Sequence, residues 1–122
     1  MTNIDVLAAK ALTEYEPLTQ LLANGAESVY HDDAPENGEY PIIQYTAISE
    51  TPAMHADNKA VAVQKVIRVT VINSTNAGRH AFKEAIMKCM TDAGFMWQST
   101  NTARSDREFY LVMDFSYSCL IN

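Results

Sequence analysis

Glycine is scarce in this chain, with four residues among 122. That leaves no glycine-rich loop to cradle a phosphate, and neither a Walker loop nor a G-x-G-x-x-G turn occurs. Cysteine is scarcer still: Cys89 and Cys119 are the only two. Two thiols cannot build the disulfide framework of a small secreted domain, and the expectation is a pair of buried free thiols. No C-x-x-C and no G-x-S-x-G is present. No apolar run approaches the ~18 residues of a membrane-crossing helix. The opening MTNIDVLAAKAL has no basic segment ahead of its apolar residues and carries Asp5, so it does not read as a signal peptide. Cytoplasmic synthesis is the expectation.

Positive charge is also missing over a long stretch. Between Lys10 and Lys59 there is no lysine or arginine, yet nine acids lie there. Residues 1–60 hold ten acids against two bases, and residues 61–122 hold five acids against seven bases, within a net charge of −6. Sequence-specific nucleic-acid binding is disfavoured, because phosphate neutralisation needs clustered Lys and Arg. The imbalance fits either a solvated acidic face or a charge-polarised subunit whose acidic side meets a basic side of a neighbour.

What is present is ordinary for one globular domain spanning 1–122: 48% hydrophobic and 20% charged residues. Asn3 or Asp5 can cap a first helix carrying Ile4, Leu7, Ala8, Ala11 and Leu12 on one face. Pro17 interrupts it and opens a short turn from Leu18 to Ala23, closed by Asn24-Gly25. Ser28 to Tyr30 is a short strand, followed by the loop HDDAPENGEYP. Pro41 to Thr51 is a second strand, and Pro52 to Ala60 reads as a polar loop. Val61 to Asn73 is the densest β-branched run. Only its second half alternates cleanly, so Val61 to Val66 is expected to project as one arm of a hairpin. A helix from about Asn76 to Ala93 carries the stripe Ala81, Phe82, Ala85, Ile86, Cys89, Met90 and Ala93. Phe95 to Thr100 is a strand expected to put Phe95 and Trp97 on one face, and Arg107 to Ile121 is a strand whose odd positions are nearly all apolar and whose even positions include Glu108, Asp114, Ser116 and Ser118. The predicted fold is α+β: an antiparallel or mixed sheet of four to five strands with two to three helices packed on one face.

Candidate chemistry is thin. His31, Asp32 and Asp33, or His55 and Asp57, have ligand-type side chains but no converging set, so no metal site is expected. His80 and Cys89 are about two and a half helical turns apart, too far for a nucleophile–base contact. No catalytic residues and no cofactor are expected.

Taken whole, the pattern resembles the tail completion, or head-to-tail joining, tail-terminator-like proteins of long-tailed bacteriophages and prophages. The resemblance rests on LAAKALTEYEPLTQLLANGAESVYHDDAPENGEYPIIQY, on VIRVTVINS followed by AGRHAFKEAIMKCMTDAGF, and on EFYLVMDFSYSC. It implies a structural virion component that completes the tail or joins it to the head connector. Such a protein is expected to form a ring, typically hexameric, with DNA passing the lumen without specific binding. The implied partners are other copies of the chain, the head connector and the tail tube, with no membrane. The implied location is the virion tail or neck, after assembly in the host cytoplasm. Charge polarity and the hairpin arm nominate Asp32, Asp33, Glu36, Glu39, Lys59, Gln64, Lys65 and Arg68 as candidate subunit or partner contacts. The competing expectations are a small ligand-binding α+β domain and a protein–protein adaptor without catalysis.

Overall fold

The computed structural model describes residues 3–35, 39–57 and 59–120. Helix α1 spans Ile4–Thr13, and the Asn3 side chain caps it by accepting from the Val6 N–H at 3.2 Å. Ile4, Ala8 and Leu12, four residues apart, are its buried line. After Glu14 the chain turns, and Pro17 sits in the first turn of α2, Glu16–Thr19, where its missing N–H costs nothing. A 3-10 turn, Gly25–Ser28, leads into strand β1, Val29–His31. Strands β2, Ile42–Ala56, and β3, Lys59–Asn73, form one long hairpin of 15 residues per arm. Helix α3, Arg79–Asp92, then precedes β4, Met96–Arg104, and β5, Phe109–Leu120.

The five strands form one mixed sheet in the order β1-β2-β3-β5-β4. Only β1 and β2 run parallel; the other pairs are antiparallel. Registered pairs fix the faces. Ile67 opposite Phe115, Val69 opposite Met113 and Val71 opposite Leu111 point toward the helices. They meet Leu12, Leu18, Phe82, Ile86 and Met90 in one buried cluster. Each such side chain taken fully from water contributes about 1.5–3 kcal/mol, which makes this cluster the main stabilising feature. The other face carries Thr46, Arg68, Thr70, Val112 and Asp114, none of which belongs to that cluster. The α+β fold with helices on one face is therefore as the patterning indicates.

Four local expectations need correction. Residues 52–56 are strand, and β3 already starts at Lys59. All of 47–57 is exposed, so no alternation marks this strand in the sequence. Val61 to Val66 is not a lone hairpin arm. From Ala62 onward β3 is flanked by β2 on one side and β5 on the other. Helix α3 starts at Arg79 and not at Asn76, because Gly78 adopts a left-handed φ of 75° just before it. That conformation suits glycine and cannot continue a helix. Phe95 is buried but Trp97 is exposed, its indole N–H donating to Thr100 Oγ1 at 2.8 Å.

Candidate functional site

The two outer sides of the sheet differ in backbone and in charge. On one side β1 pairs only with residues 43–45 of β2. From Thr46 to Ala56 the outer edge of β2 has no strand partner among the described residues. That strand is irregular: Pro52 lies within it, and its register against β3 shifts between Ala47 and Ser49, between Pro52 and Met54 and between Met54 and His55. Proline and bulges are devices that keep an open edge from pairing with another chain. On the other side the outer edge of β4 has no strand partner among the described residues. Its one register shift lies between Trp97 and Ser99, and Ser99 to Arg104 pair regularly with β5. No proline and no lysine guards this run.

Asp32, from the acidic half of the sequence, lies on the β1–β2 side. Asp32 ends β1 in a left-handed conformation, φ 66°, which aspartate tolerates. Its N–H donates to the Tyr45 carbonyl at 2.9 Å, and its carboxylate accepts from Thr46 Oγ1 at 2.7 Å. The Gln44 side chain donates to its carbonyl. Asp32 is thus pinned to β2. Asp33 and Glu39 are exposed and make no ion pair among the described residues. His31 stacks on Tyr45 with centroids 4.8 Å apart. Burial, with the Asp5 and Asp32 charges, raises the Tyr45 phenol above its ordinary value.

The remaining candidate residues divide into two groups. Lys59 sits at the hairpin tip, opposite Ala56, and Gln64 is half-buried between Thr51 and Ser118. Lys65 and Arg68 are engaged inside the subunit. Lys65 Nζ lies 3.1 Å from Asp5 Oδ2 and 4.0 Å from Glu50 Oε1, so it ties α1 to the hairpin. Arg68 forks onto Asp114 of β5, Nε to Oδ1 at 2.9 Å and Nη2 to Oδ2 at 3.1 Å. The hydrogen bond to Asp114 raises the guanidinium pKa further. A charge reversal at Lys65 or Arg68 would therefore disturb these pairs before it reached any partner. Glu36 lies outside the described residues.

Sequence patterning missed a pair of arginines, Arg79 and Arg104, brought together beside β4. Arg79, Lys83, Arg104 and Arg107 have no carboxylate within ion-pair distance among the described residues. Arg79 and Arg104 line one open cleft with Asn76, Thr102, Ala103 and Phe109. Arg104 lies 5.4 Å from the centre of the Phe109 ring, a cation–π distance. The surplus of bases after residue 60 was visible as a count. Their convergence required β4 to be an edge strand next to the start of α3.

At the same end of the sheet, Glu108 accepts from two phenols: Tyr110 Oη at 2.7 Å and Tyr40 Oη. These donations hold its carboxyl below the ordinary value of 4.5. This clamp fastens the segment before β2 to the start of β5. Beside it a cleft lined by Asp33, Pro35, Tyr40, Ile42, Arg107 and Glu108 opens on the helix-free face. Cys89 is buried, and burial pushes its thiol up to about 12, so it carries no thiolate near neutral pH.

These features describe an α+β domain whose distinctive chemistry lies along its rim. Among the described residues no three His, Cys, Asp or Glu side chains converge as a metal-binding group. No helix among them is long and apolar enough to cross a membrane. No protein-family model and no curated protein sequence matches the chain. Solved structures do match. The bacteriophage SPP1 gp17 protein superposes with a TM-score of 0.52 at 14% identity, over 98% of this chain and 88% of that one. A second solved structure superposes with a TM-score of 0.54 at 12% identity, over 98% of this chain and 94% of that one. At such identities the likeness is one of fold, and it runs nearly end to end.

Proposed function

We propose that this chain is a structural component of a phage virion that completes the tail or joins it to the head connector, assembling as a ring around the DNA channel. One observation carries the reading: the whole architecture, not a fragment of it, is shared with a bacteriophage protein. A fold alone does not define a function. Support of a second kind comes from charge. The chain carries a net charge of −6, most of it in its first half, while Arg79 and Arg104 share a cleft beside β4 and hold no ion pair among the described residues. A ring of identical subunits needs two different, complementary patches on each copy. A strongly acidic subunit also gives DNA little to adhere to during transit.

In this reading the chain performs no catalysis and takes no cofactor, and its work is done in the tail or neck of the virion. Its partners are copies of itself, the head connector and the tail tube. The test is assembly. The purified chain is mixed with connector or tail tube protein and followed by light scattering and electron microscopy. Closed rings docked on either partner are expected, six copies being the expected number. A chain that stays an inert monomer with both partners overturns the reading.

A further inference from the structure

Strand β4 combines two features that have no use within one copy. Its outer edge has no strand partner among the described residues, and Ser99 to Arg104 pair regularly with β5, so this backbone is extended and in step to take another strand. Proteins ordinarily guard such an edge with proline, lysine or a bulge. β4 has neither proline nor lysine, and its one register shift lies before Ser99. At the far end of the same run two arginines converge. Arg104 lies opposite Phe109 and holds its guanidinium 5.4 Å from the centre of that ring. Arg79 opens α3 and lines one cleft with Arg104, Asn76 and Thr102. Neither arginine has a carboxylate within ion-pair distance among the described residues. The helix itself does not favour Arg79: its dipole opposes a cation in the first turn, and no acid there offsets it.

We infer that the edge of β4 binds an extended segment of a different protein by strand addition, with a Glu or Asp of that segment seated between Arg104 and Arg79. The two features are continuous, because the arginine cleft begins at Thr102, inside the open run. Thr100 and Thr102 lie opposite Met113 and Leu111 of the core, and Arg104, two residues on, shares their face. An added strand turns alternate side chains to that face, and the one opposite Arg104 stands about 5 Å from it. A carboxylate there meets both guanidiniums. Backbone hydrogen bonds supply the affinity, and the acid fixes register and direction. A second copy of this chain does not fit as the source of the segment. β4 carries no acid, so pairing with another β4 leaves every arginine unmatched. β1 carries none either. The open stretch of β2 offers Glu50 alone, which already faces Lys65 at 4.0 Å, and Pro52 interrupts it. The inference goes beyond the ring reading and stands apart from it, since it concerns one edge of one copy.

The test uses the full chain and two synthetic peptides, each acetylated and amidated. Glu-Thr-Val-Thr-Val-Thr-Lys sets its acid beside Arg104 in an antiparallel addition, and Lys-Thr-Val-Thr-Val-Thr-Glu does so in a parallel one. Control peptides carry Gln in place of Glu. Binding is read by NMR near neutral pH and at low salt, from amide shifts and from hydrogen exchange. One of the two acidic peptides is expected to bind, to shift the amides from Ser99 to Arg104, and to slow exchange at alternate residues of that run. Its Gln control is expected to bind about three- to tenfold more weakly. The same loss is expected for the acidic peptide on a chain carrying R79Q and R104Q. Arg79 is half-buried and Arg104 exposed, and neither holds an ion pair among the described residues, so that variant is expected to melt like the parent. Failure of both acidic peptides to bind overturns the inference. Equal binding by the Gln control or by the variant overturns the seat for the acid. Shifts at the arginines without slowed exchange along β4 reduce the cleft to an anion contact and overturn strand addition. Amides of this run already slow to exchange in a peptide-free chain that sediments as a dimer would show that a second copy covers the edge, and would overturn it too.

Discussion

Arg68 and Asp114 illustrate how a single cross-strand pair is built into the helix-free face. Asp114 is only 8% exposed, and both of its carboxylate oxygens are taken by the Arg68 fork. Removing the arginine leaves a nearly buried carboxylate without a partner. Arg68→Ala is expected to lower stability by about 1–3 kcal/mol in urea unfolding. Replacing both residues, Arg68→Met with Asp114→Leu, is expected to recover most of that loss, since no charge is then stranded. A double variant as weak as the single one would show that packing, not the ion pair, sets the cost. Cys89 gives a second residue-level expectation. Its thiol is buried and pushed up to about 12, whereas Cys119 is half-buried near the end of β5. At pH 8 a thiol reagent is expected to label Cys119 in the native chain and Cys89 only at the rate of unfolding. Rapid labelling of both would contradict the packing of α3 against the sheet.

Among the elements, the segment before β2 is held by the Tyr40–Glu108–Tyr110 clamp. The folded carboxyl value of Glu108 lies below the ordinary 4.5. Its contribution is therefore complete above the ordinary value and is lost as pH falls through the folded one. The group is largely in water, so the effect is small, under about 1 kcal/mol. Thermal melts of the parent and of Glu108→Gln are expected to differ at pH 6 and to converge at a pH below the folded value. Equal differences at both pH values would show that the clamp does not depend on the carboxylate. The elements also show what a sequence can and cannot disclose. Strand β5 was legible because chemistry alternates along it: Leu111, Met113 and Phe115 enter the apolar core, while Asp114 and Ser116 between and after them lie on the other face. The stripe on α3 was legible for the same reason, with Phe82, Ala85, Ile86, Cys89 and Met90 buried. The far half of β2 was hidden because both of its faces meet water. Without burial there is no alternation, and Pro52 reads as a break.

At the scale of the whole molecule, neighbours in space that are distant in sequence escape any local pattern. Lys65 and Asp5 are 60 residues apart, and Arg68 and Asp114 are 46 apart. Charge counting nominated Lys65 and Arg68 for an outer contact, while the topology joins them to internal partners. The same topology brings Arg79 and Arg104 into one cleft and Asp33, Tyr40, Arg107 and Glu108 into another, which no window along the chain reveals. A ring of the proposed kind that closes through exposed charges is sensitive to ionic strength. Raising salt from about 20 mM to about 300 mM, across a Debye length that shrinks from roughly 20 Å to under 8 Å, is expected to weaken self-association at least severalfold. Sedimentation velocity at several salt concentrations measures it, and an association that strengthens with salt would point to an apolar contact instead.

The interrupted edge of β2 bears on when such an assembly stops. A sheet with two regular open sides has no natural end: every added strand offers a new place to join, and surplus material grows into fibres. Here Pro52 and the register shifts leave one side poorly suited to template. In the proposed ring, copies produced in excess meet through another surface, and that contact is exhausted when the last copy reaches the first.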